Sequence, residues 1–60
     1  MKMKVKDLKK GDQFSLAHGF RGIVKSINPT KNEKGYFDVK TLYDIFEFNG
    51  EDKVEVFNRD

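Results

Sequence analysis

The chain contains no cysteine, no tryptophan, one proline and one histidine. Without cysteine, neither a disulfide nor a thiolate metal site can staple it, and a reducing compartment is allowed. The lone imidazole, His18, would have only carboxylates beside it, short of the several nitrogen or sulfur ligands zinc asks for. It sits in "AHGF" with no metal-ligand partner two or four residues on, and reads as an exposed turn residue. No apolar run approaches the roughly 18 residues of a membrane span. The opening "MKMKVKDLKK" has the charge of a signal segment but no apolar stretch behind it. The expectation is a soluble, cytoplasmic protein with no membrane contact.

Catalytic groups are scarce as well. Ser15 and Ser26 lie in strand-like segments without a histidine pattern nearby. The acids Asp44, Glu47, Glu51, Asp52 and Glu55 gather in the second half, but "NGEDKVE" lacks the alternating oxygen ligands of a calcium loop. A carboxylate pair acting on a sugar chain would find little cleft in 60 residues. These acids read as solubility and protection of strand edges. The sequence therefore points away from an enzyme and calls for no small-molecule cofactor or metal.

What remains must fold by apolar packing. Sixty residues make a single domain, 1–60, with a small core and marginal stability. Hydrophobic residues make up 37% of the chain and aromatics 13%, and each ring buries a large area. One compact core is within reach.

Period-2 alternation dominates the second half. In "YFDVKTLY", Phe37, Val39, Thr41 and Tyr43 fall on one side, with Tyr36, Asp38, Lys40 and Leu42 on the other. β-branched and aromatic residues fill it, as a strand requires. "IFEF" alternates Phe46 and Phe48 around Glu47, and "KVEVF" turns Val54 and Val56 inward with Lys53 and Glu55 outward. "NGED" between them carries the Asn-Gly turn signal. In the first half, "QFSL" places Phe14 and Leu16 on one face, and Gly19 and Gly22 bracket a bend. The alternation slips in "GIVKSI", which suggests a bulge or a strong twist. Residues 28–35, "NPTKNEKG", form a polar excursion rich in turn formers. Residues 5–10 hold Val5 and Leu8 three apart, enough for one helical turn. The sum is an all-β fold of five short strands. An SH3-like barrel fits that length better than an OB-like one.

Leu8, Gly11, Asp12 and Phe14 spell L-x-x-G-D-x-F ahead of the glycine bend and "GIVKSI". This pattern resembles the opening segment of small bacterial and phage SH3-like barrels, including KOW-type and translation-factor-type domains. The resemblance spans most of the chain and implies a scaffold. The leucine would plug one end of the barrel, and the Gly-Asp pair would turn the chain into its first strand. "EDKVEVF" is similar to their closing strand. These are scaffold residues, and one fold hosts many functions, so no site residue is carried over.

Charge supplies the functional reading. Net charge is +2, but residues 1–34 hold nine Lys or Arg against three acids, and residues 35–60 hold three against seven. Lys9, Lys10, Arg21, Lys25, Lys31 and Lys34 all belong to the basic half. If the 28–35 loop and the first bend project together, they build a positive rim. Phe20 and Tyr36 would be stacking platforms in it. Phe20 beside Arg21, between two glycines, makes a stacking pair. The blander alternatives are that Phe20 folds into the core, that the lysines serve solubility, and that interleaved strands cancel the polarity. The expectation is a binding module for nucleic acid or a ribonucleoprotein through Lys9, Lys10, Phe20, Arg21, Lys25, Lys31, Lys34 and Tyr36. The alternative is a small protein-interaction module, such as a phage-encoded modulator of a host protein, anchored by Phe20, Tyr36 or Tyr43 or by strand addition to an open edge.

Overall fold

A computed structural model describes residues 1–17 and 19–57. His18 lies outside the described residues. Seven short strands appear in the order β1 (Lys2–Lys4), β2 (Gln13–Ser15), β3 (Arg21–Ile23), β4 (Ser26–Pro29), β5 (Tyr36–Lys40), β6 (Ile45–Asn49) and β7 (Lys53–Val56). A single 3-10 turn, Val5–Asp7, separates β1 from β2. All pairings are antiparallel. One sheet runs β1-β7-β2-β3 and the other β4-β5-β6.

The all-β class is as the alternation predicts, but the strand count and the closure differ. Five strands become seven for two reasons. The first is β1, hidden in a lysine-rich segment, which pairs Met3 with Val54 and Lys2 with Glu55. The second is "GIVKSI", which breaks in two. The slip in its alternation marks a corner. Val24 is buried and still bonds the first sheet, donating its N–H to the Asp12 carbonyl at 2.9 Å. Lys25 already belongs to the second sheet, donating to the Lys40 carbonyl at 2.7 Å. The chain thus changes sheets within one peptide step. Among the described residues no ladder closes the two sheets into a barrel.

One core lies between the sheets. Val5, Leu8, Phe14, Val24, Val39, Val54 and Val56 are buried. Met3, Leu16, Phe20, Ile27, Phe37 and Phe48 pack against them. Each fully buried apolar side chain contributes about 1.5–3 kcal/mol relative to exposure. The N-terminal turn joins this core. Its Val5 is fully buried, and its N–H groups bond across to Asp52 and Gly50 carbonyls at 2.8 and 3.1 Å. Leu8 follows into the interior. Gly11 has φ +94°, a backbone shape that suits glycine. Around it Asp12 N–H donates to the Lys9 carbonyl, and the Asp12 carboxylate accepts from Lys9 N–H at 2.8 Å.

Two turn signals act differently from the sequence reading. Gly22 sits within β3 rather than in a bend. "NGED" is a turn, with Asp52 N–H donating to the Asn49 carbonyl at 3.0 Å, yet the strands it joins lie in different sheets.

Candidate functional site

The corner at Val24 and Lys25 organises one end of the molecule. Gly11 N–H reaches the Val24 carbonyl at 2.8 Å, so the turn bearing Lys9 and Lys10 lies beside the corner. Lys25 is bonded to Lys40, and Lys40 stands opposite Ile45. Lys9, Lys10, Lys25 and Lys40 are all exposed. Neighbouring chains in such a ladder lie about 4.8 Å apart, so the segments that bear these lysines adjoin as one backbone strip.

The β5–β6 hairpin tip rises from the same strip. β5 ends at Lys40, so the last three residues of "YFDVKTLY" lie outside the strand. Thr41 is buried, with 4% of its surface exposed. Its N–H donates to the Asp44 carbonyl at 2.8 Å, and its hydroxyl accepts from Asp44 N–H at 3.2 Å. The turn closed in this way thrusts its central residues outward. Leu42 is 66% exposed, Tyr43 88% and Ile45 66%. Tyr43 therefore does not share the inward face of Phe37 and Val39. The period-2 pattern misses this because a turn, not a strand, carries the residue. The extreme exposure of an apolar tip is a signal only coordinates supply.

The expected rim is divided. Lys9, Lys10 and Lys25 meet at the corner, joined by Lys40. Lys31 and Lys34 are exposed on the loop after β4, beside Tyr36 at the start of β5. Tyr36 and Lys40 stand four steps apart along β5, about 13 Å at strand rise. Tyr36 is half-buried and paired with Asn49. Phe20 turns inward. Its ring meets Phe14 at 6.0 Å and Phe46 at 5.0 Å between centroids. A side chain at Gly22 would strike that ring at 2.8 Å, so glycine there makes room for it. Arg21 parts from Phe20 and stacks instead on Phe57, with its guanidinium carbon 4.6 Å from the ring centre.

The other charges set the limits of the basic end. Glu51 is held by both Lys4 and Lys6 at 2.9 Å. Those bonds, Lys4 first, lower its carboxyl to about 2. Glu55 is lowered by the Met1 ammonium that bonds it. On the outer face of the second sheet, Asp38 stands opposite Glu47, so the positive strip does not extend down that face. Among the described residues, no group of three or more His, Cys, Asp or Glu could hold a metal ion. No helix among them is long and apolar enough to cross a membrane. Compared with family models, curated proteins and solved structures, the chain matches none.

Proposed function

We propose that this chain is a non-enzymatic binding module on an SH3-like scaffold, and that its corner end contacts single-stranded nucleic acid. The observation that carries the reading is Tyr43, 88% exposed, on the same end as Lys9, Lys10, Lys25 and Lys40. Lysines track a phosphate backbone, and an exposed ring stacks on a base of any identity. Placing a tyrosine in water at a tightly closed turn does little for folding, which makes a contact role the more economical account. Fluorescence anisotropy of a labelled oligothymidylate tests it. Tyr43→Ala and the double change Lys25→Ala with Lys40→Ala should each weaken binding at least tenfold, while Lys31→Ala with Lys34→Ala changes it little. An oligonucleotide that fails to bind at low salt, or binds all three variants equally, refutes it.

A protein partner is the second reading, favoured by the exposure of Leu42 and Ile45 beside Tyr43. An apolar trio at a hairpin tip is the kind of anchor a hot spot uses. Binding that tolerates salt and is lost with Leu42→Ala would move the assignment to a protein.

A further inference from the structure

The outer face of the first sheet holds a second feature, lined neither by the corner lysines nor by Tyr43. A concavity of about 340 Å³ is lined by Gln13, Phe14, Arg21, Gly22, Ile23 and Phe57. That volume falls at the low end of small-molecule sites, about 300–1,000 Å³. Strand register explains its shape. Phe14 and Gly22 pair with each other and turn inward, so only their backbone floors the hollow. Gln13 pairs with Ile23 and receives Phe57 N–H on its carbonyl at 2.8 Å. Gln13, Ile23 and Phe57 therefore make one wall. Arg21, opposite Ser15, makes the other and leans over the Phe57 ring.

The chemistry of the two walls differs. Ile23 is 51% exposed and Phe57 38%, which gives an apolar surface for a flat group. A guanidinium stacked on a ring still has a planar fork of N–H donors with which to bind an anion. Among the described residues no carboxylate pairs with it. Glu55, in the same cross-strand row, is held by the Met1 ammonium. A ligand that satisfies both walls carries an anion for the fork and a planar body for the ring and the isoleucine. The Ile23 end also runs directly into Val24 and Lys25, so the hollow continues the strip of the corner.

We propose that this concavity takes one nucleotide unit, its phosphate on the Arg21 guanidinium and its base against Phe57 and Ile23. This rests on the nucleic-acid reading for its occupant, though the geometry that carries it is separate. A free nucleotide and a residue of a bound strand share the required chemistry.

The test is a titration of the isotope-labelled full chain with adenosine monophosphate, followed by amide chemical shifts. Saturable shifts are expected at Gln13, Arg21, Gly22 and Ile23. They should vanish in Arg21→Ala and fall strongly in Arg21→Lys, which keeps the charge and loses the planar fork. Adenosine without the phosphate should bind at least tenfold more weakly. Arg21 is exposed, so unchanged shifts elsewhere will verify that the variants fold. A second titration uses oligothymidylate. A tighter affinity than the mononucleotide, lowered by Arg21→Ala, identifies a strand as the source; equal affinity identifies a free nucleotide. Either supports the site. Shifts absent from this face, or persisting in Arg21→Ala, overturn it. Shifts here with no oligonucleotide effect at Tyr43 would instead overturn the corner reading alone.

Discussion

Gly50 shows how close packing can demand the smallest residue. A Cβ there would lie 2.7 Å from Cε1 of Phe37 and 3.2 Å from the Gly35 carbonyl. The demand is for space, since Gly50 is not among the residues of positive φ. Gly50→Ala should cost about 1–3 kcal/mol through overpacking, seen as a lower urea midpoint; an unchanged midpoint would show that Phe37 has room to move. Glu51, the next residue, links Lys4 and Lys6 to the turn. Its carboxyl falls from 4.5 to about 2 in the folded chain. A lowered folded value stabilises above the unfolded value and loses that contribution as pH falls toward 2. The pair is exposed, so the effect is small. Urea midpoints of wild type and Glu51→Gln should differ slightly at pH 6, and the gap should narrow below about pH 4.5 and close as pH approaches 2. A constant gap across that range would remove the ion pairs as its cause.

At the scale of elements, the β5–β6 hairpin depends on the Thr41 hydroxyl. Thr41→Val keeps the shape and leaves Asp44 N–H without its side-chain acceptor, costing about 1 kcal/mol. Amide exchange at Asp44 and Ile45 should quicken while Val39 stays protected; equal protection in both proteins would show that the turn stands without the hydroxyl. This hairpin also shows what the sequence makes legible. Val39 inward, Phe46 and Phe48 alternating, and Val54 with Val56 buried all follow from period 2. Leu8 is buried, and Gly11 takes a positive φ in the turn ahead of β2. The pattern does not say where a strand stops. Alternation alone sets Tyr43 on the side of Phe37 and Val39, whereas the turn after β5 leaves it 88% exposed. β1 gives no period-2 signal because lysines outnumber its apolar residues and Met3 alone packs against the core. Charge along the sequence marks Lys9, Lys10 and Lys25, but does not say which ring stands against which cation. Arg21 stacks on Phe57 rather than on its neighbour Phe20, which turns onto Phe14 and Phe46, because neighbours in a sheet are set by register rather than by adjacency.

Across the whole molecule, the polarity of the sequence survives in part. Lys31 and Lys34 lie at one end of the β4–β5 hairpin, and Lys25 and Lys40 at the other. The acids Asp38 and Glu47 stand between, on the second sheet's outer face. The basic half is thus not one continuous rim. It is a strip at the corner, crowned by Tyr43, with Arg21 and Phe57 beyond it on the first sheet. The most direct measurement uses the tyrosines themselves, since the chain has only two and no tryptophan. In Tyr36→Phe, Tyr43 is the sole strong emitter, and its fluorescence can be followed as oligothymidylate is added. The account predicts saturable quenching whose affinity falls about 50-fold between about 50 and 200 mM salt, if Lys9, Lys10, Lys25 and Lys40 each neutralise a phosphate. Emission that stays constant at low salt, or binding that ignores salt, would contradict it.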